Sequence, residues 1–274
     1  MDPPDLTKRT QPRLRTLLKP LYHKAFRAKL RLQCALLDVL ESSRRENPPL
    51  PPARLRFRVS ENPGAADFLA VGRAAADNIE GSLTTLGAPF VDGQTVLDLG
   101  CGCARTLRFL VPRHPNVQWH GCDVDAEAIG WCQQNMPPVL CAVNDPLPPL
   151  GFPADHFDVI YGVSVFTHID EASQRAWLAE LHRILKPGGW LLLTFYSEHV
   201  WRATEYAEAV ARGEFVFATS AKLKGILPDW YQTALQSEER IVTAWSERFA
   251  NVSYIPRRFG NQDLCAGMKP AHSR

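Results

Sequence analysis

The residues best suited to chemistry stand where short apolar runs end. The stretch "VLDLGCGCARTLRFL", residues 96–110, places Asp98 near the end of its apolar run and then turns through Gly100, Cys101 and Gly102, with Ala104 two residues on. Glycines in such a turn let a ligand approach the backbone, and a helix starting near Ala104 would aim its first amides at an anion or carboxylate. One glycine turn alone is a weak signal. The next run, "VQWHGCD", strengthens it by ending on Asp123, 23 residues after Gly100, where a carboxylate can accept both hydroxyls of a ribose. Asp123 could instead cap the helix that follows, but Asp125 fits that cap better, which leaves Asp123 for a ligand. A third run, "PVLCAV", ends near Asn144 and Asp145. Either could meet an adenine edge, or form an Asx turn ahead of the prolines.

His168 follows the run "FDVIYGVSVF" and is the leading candidate for a general base, since an unperturbed imidazole titrates near about 6.5. The competing reading is a turn residue bonded to backbone before a helix capped by Asp170. Tyr161, in mid-run, is expected in the core. Tyr196, Glu198 and His199 follow the next run, "WLLLTFY", where substrate contacts are expected. Trp201, Tyr206, Phe215, Phe217, Trp230 and Tyr231 make an aromatic-rich segment. They either roof an acceptor pocket or fill the core of an insert.

Elements of two periods must position these residues. From Thr95, "TVLDL", "VQWHGCD", "PVLCAV", "FDVIYGVSVF" and "WLLLTFY" read as strands. Between them "ARTLRFLVPRH", "AEAIGWCQQN" and "DEASQRAWLAELHRIL" read as helices, with "KPGG" as a turn. Short apolar strands alternating with amphipathic helices indicate a parallel sheet covered on both faces, with ligands at the carboxyl ends of its strands. A helical stretch spans about residues 64–86 ahead of this unit. After Tyr196 the alternation stops: "EHVWRATEYAEAVARG" and "EERIVTAWSERF" look helical, and "NVSYIP" and "QDLCAGMK" are late strand candidates.

The 274 residues suit one large domain or one domain with additions, and 45% hydrophobic with 22% charged residues is ordinary for a soluble globular protein. A net charge of +2 selects no partner. No apolar run approaches the roughly 18 residues of a membrane span, and "MDPPDLTKRTQPRLR" lacks the apolar region of a signal peptide. The seven cysteines are scattered, odd in number and without a C-x-x-C pair, so a reduced, cytoplasmic protein is expected, with no metal. Between Lys8 and Arg31 stand nine Lys or Arg residues and no acid, interleaved with leucines at helical spacing. Pro20 is expected to break or kink this helix. Such an arm could meet a membrane surface, a polyanion or a partner, but an added helix packed on the domain with its basic side in water is the favoured expectation. "ENPPLPPAR", residues 46–54, reads as a proline-rich linker. The expected organisation is an extension over 1–53 and a main domain over 54–274, with its core at 95–196 and an insert at about 199–245.

Four segments, "VLDLGCGCARTLRFL", "GCDVDAEAIGWC", "FDVIYGVSVFTHI" and "ELHRILKPGGWLLLT", resemble in order and spacing the class I S-adenosylmethionine-dependent methyltransferases. The resemblance is closest to bacterial members with a "GCGCGR" first motif and an "SVFTHL" motif, and covers roughly residues 54–196 together with the final strand. It implies a Rossmann-like α/β fold with a seven-stranded, mostly parallel sheet whose last strand is antiparallel. It also implies S-adenosylmethionine as cofactor and in-line methyl transfer to a small-molecule or natural-product-like acceptor. Asp98 and the amides around Gly100, Cys101 and Gly102 would then hold the methionine end, Asp123 the ribose, and Val124 the adenine face. Asn144 or Asp145 would meet the adenine amino group, and Ser164 would line the cofactor near its sulfonium. Tyr196, His199, Tyr206, Trp230 and Tyr231 are the candidate acceptor contacts. Ala104 departs from the family's third glycine. Nucleic acid is not expected as a partner, because "SVFTHI" lacks the proline-bounded motif of amino-directed enzymes. Two rivals stay open: a protein of this fold that binds the cofactor without methylating, and a nicotinamide-dependent oxidoreductase, although Arg105 breaks the G-x-G-x-x-G pattern the latter wants.

Overall fold

A computed structural model describes residues 12–218 and 232–271, with side chains from residue 24 onward. Three helices come first: α1 (Pro12–Leu40), α2 (Ala53–Ser60) and α3 (Ala65–Thr85). The alternating unit follows as β1 (Thr95–Leu99), α4 (Leu107–Arg113), β2 (Gln118–Asp123), α5 (Ala126–Asn135), β3 (Val139–Val143), β4 (Phe157–Gly162), α6 (Glu171–Ile184) and β5 (Leu185–Tyr196). Then come α7 (Glu198–Trp201), α8 (Ala207–Ala211), β6 (Val216–Ala218), β7 (Thr233–Leu235), α9 (Glu238–Ser246), β8 (Ala250–Ile255) and β9 (Gln262–Met268).

The main sheet has seven strands in the order β3-β2-β1-β4-β5-β9-β8. Strands β1 to β5 pair in parallel, and β9 alone runs antiparallel to both its neighbours. This is the expected seven-stranded architecture. Successive strand residues point to opposite faces, so the unbroken apolar runs feed two cores. Val96, Val159, Tyr161 and Leu192 pack with α3, α4 and α5 on one face. Leu97, Leu99, Ile160, Leu191 and Leu193 pack with α6 and α9 on the other. Among the described residues no helix is long and apolar enough to cross a membrane.

Several elements differ from the sequence expectation. Helix α1 runs through Pro20 without a break. The proline-rich segment is bound to the domain rather than slack: Pro51 and Ala53 are buried. The Pro48 carbonyl accepts from Arg108 at 2.6 Å, and the Pro51 carbonyl from Arg56 at 2.9 Å. "KPGG" belongs to β5, where the pairing with β4 slips between Phe157↔Leu185 and Val159↔Trp190, and Gly188 takes φ 81° in the irregular stretch. Strand β4 stops at Gly162 instead of continuing to Phe166, and "EHVWRATEYAEAVARG" divides into α7 and α8. Strands β6 and β7 form a small separate sheet. Trp230 and Tyr231 lie outside the described residues.

Candidate functional site

The strand order reverses between β1 and β4, where the connections leave to opposite faces and open a crevice at the carboxyl ends. A cavity of about 840 Å³ lies there, lined by Asp98–Gly102, Asp123–Glu127, Val143–Pro146, Val163–Val165 and His168, with Arg58, Val59, Arg105 and Trp177. Asp98, Gly100, Cys101, Gly102, Asp123, Val124, Asn144, Asp145, Ser164 and His168 are therefore brought to one place from four strand ends.

Asp98 is buried, and Tyr161 donates its hydroxyl to Asp98 Oδ2 at 3.0 Å. Tyr161 is thus the core residue expected, with a polar task as well. Burial holds the Asp98 carboxyl well above the usual carboxylate range, opposed by the Tyr161 hydrogen bond. Asp123 is fixed from both sides. Its Oδ2 accepts from the Gly102 amide and its Oδ1 from the Asp125 amide, each at 2.8 Å. Desolvation raises its pKa too, and these amides oppose the rise. Asp125 caps α5, accepting from the Glu127 and Ala128 amides at 3.1 and 3.2 Å. The two aspartates have separate tasks. Among the described residues neither Asp98 nor Asp123 belongs to an ion pair.

The loop amides do not face the cavity as expected. Those of Gly100 and Cys101 both donate to the Cys122 carbonyl, at 2.8 and 3.0 Å, and that of Gly102 goes to Asp123. They tie the loop to β2. Helix α4 starts at Leu107, not near Ala104, so it offers no helix start beside the glycines. Gly100 (φ 72°) and Gly102 (φ 51°) take left-handed backbone, and an added Cβ would come within 2.3 Å of Val165 Cγ2 and 2.5 Å of Val59 Cγ1 respectively. The glycines are required by protein packing as much as by a ligand's approach.

Ala104 also takes left-handed backbone, φ 59°, and is buried. The strain costs roughly 1–2 kcal/mol. Glycine would relieve it but would lose about 0.8 kcal/mol of methyl burial and roughly 0.4–1 kcal/mol through the looser unfolded chain. The two sides nearly cancel, which is the physical reason the methyl is accepted. Ala104 lies before α4, so helix propensity plays no part in this balance.

Asn144 donates Nδ2 to the Asp145 carbonyl at 2.7 Å, while its Oδ1 is buried without a protein partner. Asp145 is exposed. Ser164, at φ 64°, donates its amide to Thr194 Oγ1 at 2.7 Å and shares hydrogen bonds of 2.8 and 3.1 Å with Gln262 from β9. Its hydroxyl is held by the sheet. His168 Nδ1 lies 2.8 Å from the Gln232 carbonyl. A carbonyl only accepts, so Nδ1 carries the hydrogen and Nε2 is the basic nitrogen. Burial pushes the His168 pKa down to about 4, with the Gln232 bond opposing it. Asp170 accepts from the Ser173 amide at 2.8 Å and caps α6.

The acceptor contacts expected after β5 are not gathered at this cavity. Tyr196 stands edge-on to His168 with ring centroids 6.2 Å apart, and packs with Tyr206 on the buried cluster of Trp201, Val210 and Leu235. Tyr206 thus serves the packing of the insert. His199 bonds Asn261 Oδ1 at 3.1 Å and lines a different cavity, of about 720 Å³, with Trp201, Glu238 and Tyr254. The sequence reading assigned no site role to Arg58 and Val59. Arg58 spans Asp125 and Glu127, each at 2.8 Å, and Val59 covers Gly102. Their only sequence signal is the amphipathic "LRFRVS" after the prolines. The cysteines are all free thiols. Cys101 and Cys132 donate their thiols to the Gly102 carbonyl, at 3.7 and 3.4 Å, beneath the loop. Among the described residues no group of side chains is arranged to hold a metal ion.

The strand order, the lone antiparallel β9 and a crevice carrying an acid at the tips of β1 and β2 define the class I methyltransferase fold. Residues 96–189 match the family model described as a methyltransferase domain. The chain is 33% identical over 105 residues to a trans-aconitate 2-methyltransferase of Azoarcus sp. (strain BH72), covering 38% of this chain and 40% of that one. It is 30% identical over 106 residues to a tRNA (carboxymethyluridine(34)-5-O)-methyltransferase of Arabidopsis thaliana, covering 38% of this chain and 24% of that one. The matches span less than half the length of these relatives. A SAM-dependent methyltransferase from Methanosarcina mazei has the same fold, with a TM-score of 0.53, 18% identity and coverage of 69% of this chain and 98% of that one.

Proposed function

We propose that this chain is an S-adenosylmethionine-dependent methyltransferase acting on a small-molecule or natural-product-like acceptor. The observation that carries the reading is Asp123, fixed by the Gly102 and Asp125 amides in the same cavity as the buried Asp98. Two desolvated carboxylates without ion-pair partners suit a ligand that brings its own cations and hydroxyls. The unpartnered Asn144 Oδ1 in the cavity wall suits an amino donor such as adenine's, and favours Asn144 over the exposed Asp145. In this reading Asp123 takes the ribose hydroxyls, Val124 covers the adenine, Asp98 faces the methionine end, and Ser164 and Cys101 complete the wall.

The bound cofactor supplies an already activated methyl group. The chain's own work is to bind, align and exclude water. His168 Nε2 is positioned as the proton acceptor or hydrogen-bond acceptor for an acceptor group, and neutral above about pH 5 given a pKa near 4. A small acceptor accords with the trans-aconitate relative, whereas the tRNA relative shows that this domain type also serves larger ones. Seven free cysteines accord with a reducing, cytoplasmic setting.

Titration calorimetry with S-adenosylmethionine tests the cofactor assignment. Asp123→Ala is expected to weaken binding at least about tenfold, which is about 1.4 kcal/mol. Unchanged affinity removes the ribose assignment, and retention of a nicotinamide cofactor alone removes the class. Transfer of labelled methyl across an acceptor panel separates an enzyme from a protein that only binds the cofactor, which would never release S-adenosylhomocysteine.

A further inference from the structure

We propose that the outward face of α1 docks on an anionic lipid surface. This is independent of the chemistry assigned to the cavity. Over its described side chains, helix α1 meets the rest of the molecule along one side. Cys34 is buried there, and Asp38 Oδ1 accepts from the Ala53 amide at 2.7 Å, fixing the start of α2. Just past the helix, Glu41 holds the buried Arg56 and accepts from the Ala65 amide at 3.0 Å. The nearest acids are therefore spent on the domain.

The opposite side is left to solvent. Leu32 is 73% exposed, Val39 70% and Leu36 55%. At about 100° per residue these three fall with the exposed Ala25 and Ala28 in one arc of roughly 80°. Exposed Lys24, Lys29 and Arg31 flank that arc. Along the described side chains of the helix the outward surface is an apolar stripe with cations at its edges. The same apolar period continues upstream in the sequence at Leu14, Leu18 and Leu21, and the stretch from Lys8 to Arg31 holds nine Lys or Arg residues and no Asp or Glu.

An apolar stripe of this extent is unusual on a surface that meets only water. Its charge decides what covers it. A second copy of the helix would bring like charges together along the stripe's edges, which disfavours pairing. An anionic bilayer reverses that sign: the leucines enter the acyl boundary, and the lysine and arginine stems reach up to the lipid phosphates. The described part of the helix is too polar to cross a membrane, so it lies in the interface.

Vesicle sedimentation of the full chain tests this, with phosphatidylglycerol–phosphatidylcholine vesicles against phosphatidylcholine alone at about 0.1 M salt. The expected result is at least about tenfold stronger binding to the anionic vesicles. It should be lost to a similar degree in both Leu32→Glu/Leu36→Glu and Lys24→Glu/Lys29→Glu. Unchanged S-adenosylmethionine affinity would show that the variants are folded. If S-adenosylmethionine binds neither wild type nor variants, circular dichroism takes over as the control for folding and the vesicle result still stands. Absence of vesicle binding overturns the proposal. So does binding that survives the leucine variant, which would mean a purely electrostatic polyanion contact. An ultracentrifugal dimer abolished by Leu32→Glu/Leu36→Glu, without vesicle binding, would assign the face to a second copy and overturn it too.

Discussion

His168 is the proton acceptor of the proposed function, yet its surroundings oppose the charged form. Burial takes the imidazole down to about 4, and the Gln232 carbonyl fixes which nitrogen is basic. The folded pKa lies below the unfolded value near about 6.5. The imidazole therefore has no effect on stability above that value, and imposes a growing penalty as the pH falls from there toward 4. Between pH 6 and 8 it does not titrate, so an ionisation seen in kcat/KM across that window is not that of His168. His168→Gln is expected to lower turnover about a hundredfold while leaving cofactor affinity unchanged, as read by methyl transfer and calorimetry from pH 5 to 9. Wild-type turnover in this variant would leave His168 a turn residue.

At the scale of elements, α2 does more than connect. It follows prolines whose carbonyls are captured by Arg56 and Arg108. It lays Val59 on Gly102, and its Arg58 reaches the cap and first turn of α5. Arg105 returns the contact by donating to the Val59 carbonyl at 2.6 Å. The glycine loop is thus pressed between β2 and a helix that lies far from it in sequence. Partly exposed ion pairs are individually weak, about 0.2–1 kcal/mol. Arg58→Ala is therefore expected to loosen cofactor binding only about threefold to tenfold, with a smaller effect at high salt. Calorimetry at two ionic strengths checks both points, and an unaltered affinity would mean that α2 covers the loop without supporting it.

At the scale of the whole molecule, the cavity is the place where the sheet's stability and its ligand are coupled. Asp98 and Asp123 both have raised folded pKa values because they are desolvated. A raised carboxyl pKa favours the ligand-free fold at low pH, and that contribution is lost as the pH rises through the folded value. A ligand bearing cations recovers the loss by favouring the ionised forms. The rise in Tm on adding S-adenosylmethionine is therefore expected to be larger at pH 8 than at pH 5.5, at equal ligand concentration. A shift of equal size at both values would uncouple the carboxylates from the ligand.

The sequence by itself determined the local features. The alternation of strands and helices, the acids at the tips of β1 and β2 and the Asp125 and Asp170 caps are all set by periods and end signals that a short window contains. Tertiary structure decided whatever depends on residues remote in the chain. The loop amides turn to Cys122 and Asp123 because β2 lies beside β1. Ala104 tolerates left-handed backbone because its methyl is buried. His199 faces another cavity because β9 brings Asn261 to it. The cover provided by α2 and the depressed pKa of His168 likewise come from non-local packing, since desolvation is a property of everything folded around a group.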